Sequence, residues 1–185
     1  MKAIPTFYHG IKFRSRLEAR WAAFFDACGV EWAYEVEGYE LDDGTRYLPD
    51  FRIKSKNISR VPSGQYLWVE VKGKMTNKDL HKIEQFSKEA PIIILGDIPI
   101  GRDAYERQEK TCEPERQENH EFNFEFINGD TFPAFPGIDI NKSFNLFGDT
   151  SSELSYMDSD LTNKAYIRTV YGFEHGEKPP TTKAR

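Results

Sequence analysis

Residues 65–73 read Gln65-Tyr66-Leu67-Trp68-Val69-Glu70-Val71-Lys72-Gly73. Successive side chains of an extended chain point to opposite sides, so Leu67, Val69 and Val71 share one face and Trp68, Glu70 and Lys72 the other. This predicts a strand over 65–72, ended by Gly73, that holds a carboxylate and an amine side by side. After it, Thr76 to Asp79 has the form of a capping box, and Leu80, Ile83, Phe86 and Ala90 recur at helical spacing. A second helix is therefore expected there, stopping at Pro91. Ile92 to Leu95 is short, β-branched and apolar on both faces, the pattern of a central, buried strand.

Upstream of residue 65, Ser15 has the chemistry of a helix N-cap, and Leu17, Trp21, Phe24, Phe25 and Cys28 form one apolar face before Gly29. Thr6 to Arg14 suggests a short extended entry or hairpin. Glu31 to Glu37 alternates Trp32, Tyr34 and Val36 against Glu31, Ala33, Glu35 and Glu37, the period of a half-buried strand. Asp42-Asp43-Gly44 reads as a tight turn into a further strand near 46–53, followed by a polar loop over 54–64. The resulting order is helix, three strands, helix, strand: an α/β (α+β) class with a mixed central sheet. Beyond Gly96 the pattern weakens. A surface excursion or short helix is expected over 103–121, a strand near 122–127 from Phe122, Phe124 and Phe126, irregular chain over 131–155 and a helix near 158–171. One domain follows, with a core over 1–96 and an extension over 97–185 packed on it.

The bulk composition fits a folded chain that does not enter a membrane. Of 185 residues, 38% are apolar and 30% charged, and the longest apolar run is the short one near Pro91 to Leu95. No secretory signal is visible, which makes the cytoplasm the expected location. Two cysteines, Cys28 and Cys112, are too few for a disulfide framework or a cysteine zinc site. His9, His81, His120 and His175 lack metal-ligand spacing. The net charge of -5 argues against a uniformly basic nucleic-acid binder. Its distribution is uneven: residues 1–90 carry 15 Lys+Arg against 13 Asp+Glu, a net of +2, and residues 91–185 carry 10 against 17, a net of -7.

Pro49-Asp50 interrupts the strand expected near 46–53, because proline has no N–H to give to a ladder. An edge, bulge or break there lets the Asp50 side chain meet solvent and a cation. Asp50 and Glu70 on adjacent strands, with the Val71 carbonyl as a further oxygen, suit a hard divalent ion such as Mg²⁺ or Mn²⁺. Such an ion supports phosphodiester hydrolysis by stabilising charge on the phosphate and lowering the pKa of bound water. Lys72 would orient the attacking water and offset developing negative charge.

Pro49-Asp50, nineteen residues, then Glu70-Val71-Lys72 resembles the motif that names the PD-(D/E)xK nuclease superfamily. The element order is similar to its restriction-endonuclease-like core, and the likeness spans about Tyr8 to Leu95. The stretch Phe13-Arg14-Ser15-Arg16-Leu17-Glu18-Ala19-Arg20-Trp21 resembles the leading helix of a subgroup of small nucleases, many phage-encoded, in which a glutamate joins the metal site. The resemblance implies a Mg²⁺- or Mn²⁺-dependent DNA endonuclease, in a bacterial cell or phage-infected host, with Glu18, Asp50, Glu70 and Lys72 as its catalytic residues. Arg14, Arg16, Lys54, Lys56, Arg60, Lys74 and Lys78 are candidates for backbone contacts to DNA, and Gln85 lies where related nucleases place a polar residue facing substrate.

Plainer readings stand beside these. Ser15 and Glu18 have capping-box spacing, and Glu70 with Lys72 can be an ion pair on a wet sheet face. The phenylalanines of 122–126 can simply pack a strand. At the level of function, a structure-specific junction resolvase would call for a symmetric dimer with two sites. A non-catalytic protein on the same fold would bind nucleic acid, or a protein partner through its acidic second half.

Overall fold

In a computed structural model of the chain, residues 3–54, 64–96 and 98 are described in full, and 123–127, 130–138 and 144–148 by their backbone. Strands β1 (Thr6–Tyr8) and β2 (Ile11–Phe13) form the entry hairpin, with Thr6 opposite Phe13. His9 and Gly10 both have positive φ, 47° and 78°, as a two-residue hairpin turn matched to strand twist requires. Helix α1 (Arg16–Ala27) starts where expected, with the Ser15 hydroxyl accepting from the Glu18 N–H. It ends at Gly29, φ 67°, where Val30 N–H bonds Phe25 O at 2.9 Å and Gly29 N–H bonds Asp26 O at 3.1 Å.

Strand β3 (Glu31–Tyr34) is shorter than its alternation predicts, because Glu35 turns into the left-handed region at φ 47°. The strand expected near 46–53 divides in two. Its first piece, β5 (Arg46–Tyr47), pairs with β4 (Tyr39–Glu40) in a small hairpin around the Asp42-Asp43-Gly44 turn, and its second, β6 (Phe51–Lys54), joins the main sheet. Pro49 lies in the break. Strand β7 (Tyr66–Val71) runs antiparallel to β6 and parallel to β8 (Ile92–Leu95), with α2 (Asn77–Phe86) in the connection between β7 and β8. The capping box at Thr76 and Asp79 is present. Helix α2 stops before Ala90: the Ser87 hydroxyl bonds back to Glu84 O at 2.8 Å, a local bond that competes with helix continuation.

The main sheet is mixed, in the order β11 (Phe144–Gly148), β10 (Asp130–Ile138), β9 (Asn123–Ile127), β8, β7, β6, β3. Strand β9 (Asn123–Ile127) falls where the phenylalanine alternation places a strand. The stretch 131–155, expected to be irregular, instead contributes β10 (Asp130–Ile138) and β11 (Phe144–Gly148). The Gly, Pro, Ser, Asn and Asp content of that stretch argues for irregular chain, Pro133 and Pro136 included. Strand β10, however, pairs with β9 through Asp130 to Ala134 and with β11 through Ala134 to Ile138. Among the described residues Pro133 pairs with β9 alone and Pro136 with β11 alone, so each stands where one side of β10 has no described ladder bond to lose. The segments expected near 103–121 and 158–171 lie outside the described residues.

The core has two parts. Phe13, Trp21, Phe24, Phe25, Phe51, Ile53, Leu67, Val69 and Val71 pack with α1 on one face; Trp68, Ile83, Phe86, Ile92 and Ile94 pack with α2, Leu41 and Tyr47 on the other. The sidedness read from the alternation of residues 67–71 is the one found. The Trp21 indole N–H also reaches Gly96 O at 2.8 Å, tying α1 to the end of β8. No described helix is long and apolar enough to cross a membrane.

Candidate active site

The break between β5 and β6 lets Asp50 leave the ladder and turn toward β7. Its Oδ2 accepts from the Val71 N–H at 2.8 Å, which sets the carboxylate against the backbone between Glu70 and Lys72. Glu70 lies on the α2 face of β7. Its Oε1 is 2.8 Å from Lys72 Nζ, and its Oε2 accepts from the Tyr47 hydroxyl at 2.8 Å. Lys72 also lies 3.7 Å from Asp79 Oδ1, in the capping box of α2. Asp50, distant in sequence from Glu70 and Lys72, is brought beside them.

Glu18 comes from α1. Its Oε1 accepts from the Ser15 hydroxyl at 2.6 Å, and its Oε2 from the Tyr34 hydroxyl at 2.6 Å and the Arg14 N–H at 3.0 Å. The capping contacts between Ser15 and Glu18 are thus present, and the acid is buried beside Tyr34 and Arg14. Arg14 links it to Asp50, since the same residue's Nη2 donates to Asp50 Oδ1 at 2.8 Å. Arg14 Nε stands 2.6 Å from Glu35 Oε1.

Glu18, Asp50 and Glu70 are 6%, 3% and 5% exposed, so three acids are withdrawn from water with Arg14 and Lys72 as their cationic neighbours. Burial first, and then the charges of Glu70 and Glu18, push the Asp50 carboxyl well above the usual range against the opposing pull of the Val71 N–H and Arg14. Burial also pushes up the Tyr47 and Tyr34 phenols, reinforced by Glu70 and Glu18, so both hydroxyls stay protonated as donors. Burial lowers the Lys72 amine, but Glu70, Asp50 and Asp79 together outweigh it and hold the group above its ordinary value. Lys72 is thus a fixed cation rather than a base.

The chemistry of the donor set suits a hard divalent cation: buried carboxyls, of which Asp50 is pushed up by burial and then by the charge of its neighbours, a penalty that a bound cation would relieve. Among the described residues, however, no three Asp, Glu, His or Cys groups gather closely enough to hold an ion, and Arg14 occupies one Asp50 oxygen. Among the residues expected to meet DNA, Arg16, Lys54, Lys74 and Lys78 are exposed. Arg16 opens α1 two residues before Glu18, and Lys74 and Lys78 follow Lys72 into α2. Arg14 is exposed too, but its guanidinium is engaged by Asp50 and Glu35. Gln85 is bonded to Asp43 at 3.2 Å, and Lys56 and Arg60 lie outside the described residues.

Tyr34, Glu35, Tyr47 and Asp79 belong to the site, and sequence reading does not single them out for it. Only Asp79 carried a local signal, its place in the capping box. Compared with known proteins, the chain matches no family model, no curated protein and no solved structure.

Proposed function

We propose that the chain is a metal-dependent nuclease of the PD-(D/E)xK type, built on a restriction-endonuclease-like core and hydrolysing phosphodiester bonds in DNA. The observation that carries this is the seat of Asp50 against the Val71 N–H, beside the Glu70–Lys72 pair, with Glu18 buried nearby. The order α1, β3, β6, β7, α2, β8 supports the same reading.

Asp50, Glu70, the Val71 carbonyl and Glu18 would hold Mg²⁺ or Mn²⁺. When bound, that ion supplies Lewis-acid stabilisation of the phosphate and lowers the pKa of water. The chain's own groups do the rest. The Val71 N–H fixes the Asp50 carboxylate, and the Tyr47 hydroxyl fixes that of Glu70. Glu70 holds the Lys72 ammonium in place, where it orients the nucleophile and balances charge building on the phosphate. Exposed Arg16, Lys54, Lys74 and Lys78 would bind the DNA backbone without reading sequence.

Purified protein is expected to cut DNA with Mg²⁺ or Mn²⁺ and to stop in chelator. Lys72→Ala should lower the cleavage rate by about 10²–10³-fold with the fold intact, as loss of a charge-stabilising donor does elsewhere. Cleavage unaffected by chelator, or by Asp50→Asn and Glu70→Gln in folded protein, would rule the reading out. One observation favours a second reading: Arg14 pairs with Asp50 at 2.8 Å, a contact that could serve a non-catalytic nucleic-acid-binding protein equally well. Tight DNA binding indifferent to metal, with no cutting of linear, flapped or branched DNA, would establish that reading.

A further inference from the structure

Glu35 is neither glycine nor asparagine, yet its backbone adopts φ 47°. For a residue with a Cβ that conformation is unfavourable, and it persists where the surroundings impose it. The surroundings are specific. The Glu35 N–H donates to Asp50 O at 2.9 Å, and its side chain grips Arg14 Nε at 2.6 Å. The same guanidinium reaches Asp50 Oδ1 at 2.8 Å. One cation is thus shared between a buried acid and a partly exposed one, with 5% and 30% side-chain exposure. The Arg14 side chain itself is 56% exposed, so the fork lies at the mouth of the site.

We propose that Arg14 is the built-in counter-ion of Asp50 when no metal is bound, and that Glu35 is a positioning residue that retains the guanidinium when Asp50 turns to the ion. The inference rests on the nuclease reading above. Buried Asp50 needs a positive partner, and Arg14 supplies one. A divalent ion must displace that partner to use Oδ1. With Glu35 as second acceptor, Arg14 need not be expelled into solvent. It stays at the rim, one arm released, where a guanidinium is suited to a DNA phosphate by its planar fork. The strained backbone at Glu35 places the second acceptor within reach of Arg14 while its own N–H still holds the Asp50 carbonyl.

This arrangement makes an unusual demand on metal binding. An arginine that merely supports the site would weaken metal affinity when removed, because Asp50 would lose its orientation. An arginine that competes with the metal does the reverse. The test is Mn²⁺ affinity, measured on full-length protein without DNA by electron paramagnetic resonance and calorimetry, with melting curves in chelator to establish folding. Arg14→Gln should bind Mn²⁺ about fivefold tighter, the scale of a partly exposed ion pair. Glu35→Gln should bind it more weakly, because Arg14 then has Asp50 as its remaining acidic partner. In the double variant the Glu35→Gln effect should vanish, which a long-range loss of negative charge would not produce. With Mn²⁺ present, Arg14→Gln should also weaken DNA binding.

Unchanged or weaker Mn²⁺ binding in folded Arg14→Gln overturns the proposal, as does a Glu35→Gln effect that survives in the double variant. If Arg14→Gln does not fold, Glu35→Gln alone carries the test: unchanged or tighter Mn²⁺ binding overturns it. Asp50→Asn separates the two levels of inference. Wild-type binding abolished by Asp50→Asn but indifferent to Arg14 and Glu35 sinks this exchange and leaves the nuclease reading standing. Absence of any Asp50-dependent Mn²⁺ binding sinks both.

Discussion

Against the face of the sheet that α1 covers, Phe51 stands in a cage of rings: Phe13 at 5.9 Å, Trp32 at 5.7 Å, Phe25 at 5.6 Å and Tyr34 at 5.2 Å between centroids. Against the opposite face, Trp68, Phe86, Tyr39 and Tyr47 pack edge to face, but the layer gives way beyond Trp68 to Glu70 and Lys72. The first face is dry throughout its centre. The second joins a smaller apolar layer directly to charge, and Tyr47 is the hinge between the two: its ring packs on Phe86 and its hydroxyl binds Glu70. Stability is concentrated on one side of the sheet and the candidate chemistry on the edge of the other, so the two should be separable by mutation.

The largest expected effect tests the dry face. Phe51→Ala empties the centre of the ring cage and should cost about 3–5 kcal/mol in denaturant unfolding. A loss below that range would mean that the α1 face is not the principal store of stability. Tyr47→Phe tests the hinge. It keeps the ring and leaves a buried Glu70 oxygen without its donor, so unfolding free energy should fall by about 1–3 kcal/mol and cleavage should fall with it. A variant that loses stability but cleaves normally would separate Tyr47 from the site.

The next effect concerns pH. Burial and the charges of Glu70 and Glu18 push the Asp50 carboxyl up, against the pull of the Val71 N–H and Arg14, whereas in the unfolded chain it titrates near 3.8. Just above that value the native state still holds a proton that the unfolded state has released, so in chelator this group makes stability fall as pH rises from there. Asp50→Asn should flatten that fall, and Mn²⁺ should stabilise wild type more at the upper end, where the carboxylate is free to ligate. Thermal melts across pH with chelator or Mn²⁺ read both. The smallest effect lies outside the comparison, on the exposed cations. Lys74→Ala and Lys78→Ala should each weaken DNA binding alike for all sequences and reduce the log–log salt slope by about 0.9, the value for one phosphate contact.

Much of the core was legible in the sequence because its signals are local. The alternation of Leu67, Val69 and Val71 against Trp68 and Glu70 placed β7 and both its faces correctly. Ser15 and Thr76 marked two helix starts, and Pro49 announced the break that lets Asp50 turn inward. The rest depends on partners that no local window contains. Tyr34 and Tyr47 look like ordinary strand residues until the fold sets Glu18 and Glu70 beneath their hydroxyls. Glu35 sits in a regular alternation that gives no hint of a left-handed turn. Strand β10 was hidden because its two prolines are tolerable only in the staggered pairing with β9 and β11.

The bond from the Trp21 indole to Gly96 O, with that from the Lys72 N–H to Leu95 O, has a consequence for biosynthesis. The acids proposed to hold the ion, with Lys72 beside them, are all translated by residue 72, yet the strand that braces Lys72 and anchors α1 is made last of the six core elements. A nascent chain halted at Pro91 would own all four chemical groups and lack the brace that aligns them. Ribosome-bound intermediates of that length should leave Trp21 open to solvent quenchers, and release past Gly96 should bury it in a single step.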